Sequence, residues 1–171
     1  MAAHISSRSA WKHGLIGGLI AGLAFGLGEM TIASVAGDPL LPLKMLAGLV
    51  LQRTPDTVTL GQAIAIGGAV HFAYACAAAL HVSFVIARSD PLHDSPGNAI
   101  LFSVATGFVL WPLNTYLLAP LLGAPWYITD TDPLQQFFFH VVLFGLVLGG
   151  YLALTLVHTW QLEHPRRFAH G

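Results

Sequence analysis

Charged residues are scarce in this chain: aspartate, glutamate, lysine and arginine together make up 9% of its 171 residues, against about a quarter in soluble domains. Seven lysines and arginines stand against eight aspartates and glutamates, so no basic surplus exists to attract a nucleic acid. The single cysteine, Cys76, excludes a disulfide framework and a zinc site built from cysteines. These shortages exclude a nucleic-acid-binding domain and an ordinary soluble enzyme.

Apolar residues dominate instead, at 55% of the chain, and the mean hydropathy is +0.69. A helix needs about 20 apolar residues to cross the hydrocarbon core. Four runs meet this requirement, at residues 14–37, 60–87, 98–122 and 134–160. They are too long and too continuous for the strands of a membrane barrel. The sequence therefore predicts an all-α integral membrane four-helix bundle, with residues 1–171 forming a single transmembrane domain.

Basic residues predict the orientation, because cytoplasmic loops carry the excess of lysine and arginine. With both termini inside, the outer side holds only Lys44 and Arg53. A cleaved signal peptide fits the first run less well, since the run is long and contains Glu29. We therefore expect a bacterial inner-membrane protein with both termini cytoplasmic. The basic residues then on the inner side are Arg8, Lys12, Arg88, Arg166 and Arg167.

Both predicted outer loops contain apolar or aromatic residues. Residues 40–51 form an apolar run too short to span, which predicts an interfacial or re-entrant helix. Trp126 and Tyr127 in the other loop are residues that favour the headgroup level. The simplest interpretation of both loops is anchoring at the membrane interface.

Small residues recur at every fourth position of the spans. Helices in lipid associate by close packing of such residues, so the pattern predicts a tight bundle. The second run offers a matching series of alanines, and the spacing leaves open whether the glycines pack within the chain or against another subunit. The glycines are Gly14, Gly18, Gly22 and Gly26 in the first run and Gly145 and Gly149 in the fourth; the alanines are Ala65, Ala69, Ala73 and Ala77.

Four polar side chains lie at similar depths within the predicted outer half of the spans: Glu29, His71, Asn114 and His140. Polar and ionisable groups are expensive inside a membrane and are functional candidates by default. Glu29 and Asn114 occupy equivalent places in the first and third runs, and His71 and His140 in the second and fourth. This correspondence predicts two pseudo-repeated helical hairpins related by an axis along the membrane normal.

The two histidines allow two interpretations of this polar layer. In the first, His71 and His140 bind a haem b, or bind a metal ion together with Glu29, because imidazole is a common metal ligand and bundle cores hold cofactors. In the second, Glu29 bonds to a histidine or to Asn114, and the network only stabilises the bundle. No nucleophile–base pair and no phosphate-binding glycine loop occurs in the sequence, so we expect no catalytic activity from this chain alone.

A distinctive pattern covers the end of the third span and the start of the fourth, as LWPLNTYLLAP at residues 110–120 and DPLQQFFFH at residues 132–140. Together with residues 17–22, 29–30, 70–71 and 124–127, it resembles a group of small, mostly uncharacterised bacterial four-helix inner-membrane proteins. The resemblance covers about residues 14–155. It implies a loose association with cytochrome-containing respiratory systems. Pro112 departs from the pattern, so we expect a helix kink particular to this chain.

Three functions remain open from the sequence. The first is a small membrane subunit of a larger redox or respiratory complex, which stabilises the complex and could bind haem or a metal through His71 and His140. The second is a small transporter or proton relay that uses Glu29, His71 and His140. The third is a purely structural membrane protein. All three predict a lipid environment and either other membrane subunits or further copies of the chain as partners.

Overall fold

The computed structural model describes residues 5–164, and every regular element in this range is helical. Arg166 and Arg167, which contribute to the predicted orientation, lie outside the described residues, as do His4 and His170. The longer helices are α1 (Ser7–Val35), α2 (Leu41–Leu51), α3 (Leu60–Arg88), α4 (Pro96–Leu121), α5 (Trp126–Asp130) and α6 (Pro133–Glu163). Two single helical turns lie between them, at Pro55–Thr57 and Asp90–His93.

Four of these helices, α1, α3, α4 and α6, are long and apolar enough to cross a membrane. The predicted all-α four-helix membrane bundle is thereby confirmed. The helix α1 begins seven residues before the predicted run because the Ser6 hydroxyl accepts a hydrogen bond from the Ser9 N–H and caps it. Hydropathy identifies only the part of a helix that lies in lipid, so a polar first turn is not included in the predicted run.

Capping residues and prolines set the starts of the later spans. The Ser95 hydroxyl caps α4 and the Asp132 carboxylate caps α6, and each cap is followed by a proline at the first helical position. Thr59 forms a reciprocal capping box at the start of α3. These groups satisfy backbone N–H groups that have no partner within the helix.

The glycines of α1 pack inside the chain. A Cβ atom added at Gly18 would lie 2.7 Å from the Cα of Cys76 in α3, and one at Gly14 would lie 2.5 Å from the Ser83 hydroxyl. Gly145 and Gly149 bring α6 equally close to the backbone of α4. The glycine positions therefore fix two close helix pairs, α1 with α3 and α4 with α6.

The alanine series predicted to face the α1 glycines is wrong. Ala75 and Ala79 are buried against α1, whereas the predicted alanines are exposed on another face of α3. Small residues occur all around this helix, so a spacing of four fitted two different faces and could not choose between them. The exposed alanines are Ala65, Ala69, Ala73 and Ala77.

The two hairpins are not packed as equivalent halves. Exact two-fold symmetry would make the contact between α1 and α6 equal to that between α3 and α4. Instead α1 lies along much of α6, while α3 and α4 touch only slightly. The bundle is therefore open on the side where α3 faces α4.

The helix α2 does more than anchor the loop at an interface. Met45, Ala47 and Gly48 are buried, and α2 packs against the first turns of α3. A salt bridge of 2.7 Å between Lys44 and Asp38 joins α2 to the end of α1, and the ammonium group holds the pKa of the Asp38 carboxyl below its usual value. The helix α2 thus closes one end of the bundle.

We expect Gly18→Ala to lower the free energy of unfolding by about 1–3 kcal/mol, since the added methyl group meets α3 backbone. Gly150→Ala is the matched control: nothing lies within 4 Å of its added Cβ, so stability should be unchanged or slightly higher. Thermal unfolding in one detergent compares the two variants. Equal effects would contradict the packing of α1 on α3.

Candidate functional site

A cavity of about 390 Å³ lies in the half of the bundle that α2 and α5 close. All four spanning helices contribute to its wall. Glu29 comes from α1, His71 from α3, Asn114 from α4 and His140 from α6. The structure thus brings all four polar residues that the sequence singles out into one cavity. Most of the remaining wall is apolar, and includes Phe25, Ile32, Met45, Leu110, Phe139 and Phe144.

Helical spacing adds two further polar residues to this wall. Tyr74 lies three residues after His71 and Gln136 lies four residues before His140, so each shares a face with its histidine. Neither is identified by the sequence alone: Gln136 lies near the start of the predicted run 134–160, where polar side chains are common, and the ring of Tyr74 is mostly apolar. Their spacing of three or four residues from a histidine was the sequence feature that could have identified them.

Wide, π-type turns shape α4 and α6 where they border the cavity. In α4 the helix continues through Pro112 into such turns at Leu113–Leu118, and α6 has them at Phe139–Leu146. A proline lacks the N–H of a regular helix turn, and wide turns are frequent at functional sites. These turns carry Asn114 and His140 respectively.

Three side chains form a hydrogen-bonded chain across α3, α4 and α6. The Tyr74 hydroxyl donates to Asn114 Oδ1 at 2.5 Å, and Asn114 Nδ2 donates to His140 Nε2 at 3.0 Å. His140 Nδ1 lies 2.7 Å from the carbonyl oxygen of Gln136, which can only accept, so this ring nitrogen carries the proton. His140 is therefore held as a neutral imidazole protonated at Nδ1.

Gln136 extends this chain to the first helix. Its Nε2 atom donates to Glu29 Oε1 at 2.9 Å. Every donor in the series points the same way, from Tyr74 through Asn114, His140 and Gln136 to the carboxyl group of Glu29. We call this series the polar chain; it joins all four spanning helices.

His71 lies on the same cavity but is held separately. Its Nε2 atom donates to the carbonyl oxygen of Gly22 at 2.7 Å. The absence of a side chain at Gly26 makes this approach feasible, since a Cβ there would lie 3.2 Å from Nε2. The ring of Phe25 contacts both imidazoles, with centroids 5.7 Å from His71 and 4.9 Å from His140.

The predicted metal ligands form no cluster of the usual kind. Across residues 5–164, no group of three or more histidine, cysteine, aspartate or glutamate side chains is placed to hold a metal ion. Glu29 is bonded to Gln136 rather than to either histidine.

Acidic groups lie at the end of the cavity near α5, where Asp130, Asp132 and Tyr127 form part of the wall. Burial raises the pKa of Tyr127, and the negative charge of Glu29 raises it further. The Tyr127 hydroxyl therefore stays protonated.

A second histidine cluster lies at the opposite end of the bundle. His93 is fully buried against Trp160, with Asp90 and Asp94 at 3.4 and 3.5 Å from its Nε2 atom. His93 falls in a predicted loop, so nothing in the sequence distinguishes it. It contacts Ile86 and Trp160 near the C-terminal ends of α3 and α6 and is not among the residues that line the cavity.

Comparisons with protein-family models, with curated proteins and with solved structures find no match to this chain. The resemblance to small bacterial inner-membrane proteins therefore stays a prediction. The arrangement of the cavity residues is what bears on function.

A double-mutant cycle tests the polar chain. Asn114→Leu leaves His140 Nε2 and the Tyr74 hydroxyl without their partner, and we expect a loss of about 1–3 kcal/mol in the free energy of unfolding. Tyr74→Phe removes the hydroxyl that bonds to Asn114. The double variant should lose less than the two single variants together, by about 0.6 kcal/mol.

Tyr116→Phe provides the control for this cycle. Tyr116 is exposed on α4 and no hydrogen bond of its hydroxyl is found within the described part of the chain. Its effect should add to that of Asn114→Leu. Additive effects of Tyr74→Phe and Asn114→Leu would show that the two side chains act independently.

Proposed function

We propose that this multi-pass membrane protein binds a small, partly apolar molecule in the cavity between its four helices, as the substrate site of a small transporter. The supporting observation is that Glu29, His71, Asn114 and His140 converge on a single cavity with otherwise apolar walls. Known small-molecule sites have volumes of about 300–1,000 Å³ and combine apolar walls with a few placed polar groups. A volume of about 390 Å³ falls in this range.

The packing of the helices supports movement at the cavity. The contact between α3 and α4 is slight, and near the cavity the hydrogen bond between Tyr74 and Asn114 bridges these helices. Transporters bind their substrates among helices with locally irregular turns, as found here in α4 and α6. Separation of α3 from α4 is therefore the motion that would admit or release a molecule.

The proposal includes the orientation of the protein in the membrane. With both termini on the cytoplasmic side of a bacterial inner membrane, α2 and α5 lie at the outer surface. The cavity would then receive its molecule from the outer side, since it lies in the half of the bundle nearest to α2 and α5.

The redox-subunit hypothesis has less support from the geometry. Haem ligation through His71 and His140 needs a free ring nitrogen on each side chain, and both ring nitrogens of His140 already take part in hydrogen bonds. The ring of Phe25 also contacts both imidazoles. An oxidised-minus-reduced absorption spectrum of the purified protein decides the matter. A Soret band that disappears in His71→Ala and in His140→Ala would favour the haem subunit over the proposed site.

Cysteine labelling tests whether the cavity admits molecules from water. In a Cys76→Ala background, Leu118→Cys places a thiol on the cavity wall and Leu117→Cys places one on the exposed face of the same turn of α4. In lipid vesicles a small water-soluble maleimide needs water to reach and ionise a thiol. We expect Leu118→Cys to react about tenfold faster or more, because only its side is hydrated.

The neighbouring positions make this comparison well controlled. Leu117 and Leu118 lie at nearly the same depth, so a difference in rate cannot come from distance to the membrane surface. Equal, slow labelling of both thiols would mean that the cavity is closed to water, and the proposed function would be rejected.

A further inference from the structure

We propose that the cavity selects an organic ammonium ion, a small primary amine with an apolar body. This inference rests on the proposed function and names the chemical class of the molecule bound. Its basis is the set of hydrogen-bond acceptors, the sign of the charges and the aromatic side chains around the cavity.

Gln136 supplies the first observation. This residue is only 6% exposed, and its Nε2 atom already donates to Glu29. Its Oε1 atom is buried with no hydrogen-bond partner, although buried polar groups almost always have one. The side chain borders the cavity, so a molecule that donates a hydrogen bond there would satisfy this oxygen.

Glu29 and His71 add further acceptors on the same wall. Glu29 accepts from Gln136 through Oε1, and no bond to its second oxygen is found within the described residues. His71 donates through Nε2, so a neutral ring keeps an accepting lone pair on Nδ1. A primary ammonium group carries three N–H donors and matches a set of acceptors of this kind.

The charges around the cavity have a single sign. Glu29, Asp130 and Asp132 are acidic, while no lysine or arginine lines the cavity among the residues that the structure describes. Acidic side chains around a cavity attract cations and repel anions. A carboxylate or phosphate ligand is therefore disfavoured.

Aromatic rings complete the match. Phe25, Tyr74, Tyr127, Phe139 and Phe144 all border the cavity. The faces of such rings attract cations, and their area accommodates an apolar body. Quaternary ammonium ions would gain the ring contacts but have no N–H to give to Gln136 or Glu29, so a primary amine should bind more tightly.

Protection of the Leu118→Cys thiol from maleimide measures binding in the cavity itself. The probes are phenethylamine, 2-phenylethanol and phenylacetate, which share a phenyl body and differ in charge. At neutral pH we expect the amine to give half-protection at a concentration about tenfold below that of the alcohol, because its hydrogen bonds are charge-assisted. Phenylacetate should protect least, since it is negatively charged and the acidic side chains around the cavity repel it.

Variants assign the selectivity to named groups. Glu29→Gln should remove most of the difference between amine and alcohol, and Gln136→Leu should weaken protection by the amine. Glu163→Gln is the matched control, because it removes an exposed acidic charge at the far end of α6. It should leave the protection unchanged. The comparison of the three probes needs neither Glu29→Gln nor Gln136→Leu, so it stands even if one of these variants fails to fold.

The outcomes separate this inference from the proposed function. Equal protection by the amine and the alcohol, or better protection by phenylacetate, overturns the amine and leaves a binding cavity in place. Absence of protection by the amine overturns it as well. In that case the labelling rate of Leu118→Cys relative to Leu117→Cys shows whether the cavity proposal falls with it.

Discussion

The structure depends on the need of polar side chains in a membrane to satisfy one another. Lipid offers no hydrogen bonds, so a tyrosine, an asparagine, a histidine and a glutamate on four different helices are each costly alone. The polar chain gives each of them a partner and thereby sets the relative rotation of α1, α3, α4 and α6. Apolar packing alone specifies rotation poorly in lipid, because every apolar face is equally well solvated.

Close packing holds two pairs of helices together in this bundle, and loose packing elsewhere leaves room for the cavity. Glycines bring α1 to α3 and α6 to α4 at backbone distance, as at Gly18 and Gly149. The absence of comparable contact between α3 and α4 leaves room for the cavity. A bundle with small residues on every interface would close this space, so the asymmetry between the two hairpins is what makes a binding site compatible with a stable four-helix fold.

The sequence was sufficient to predict the four spanning helices but not which face of each helix packs against its neighbours. Run length alone gave four spans, because the thickness of a membrane fixes how many apolar residues a helix needs. The spacing of small residues did not identify the face of α3 that contacts α1, since α3 has small residues on several sides. The predicted residues, Ala65, Ala69, Ala73 and Ala77, are exposed. Gln136 was overlooked because it lies near the start of its predicted run, where a polar side chain is ordinary, and its bond to Glu29 is known only from the fold.

The polar chain also determines what the cavity can bind. Its donors all point toward Glu29, so the series ends at an acidic group, and Asp130 and Asp132 border the same cavity. A buried carboxyl group with one amide N–H as its partner ionises only at a cost, and a cation that reaches it offsets this cost by Coulomb attraction. The same geometry that holds four helices in register therefore leaves an incomplete ion pair, and an ammonium group is the chemical complement that completes it.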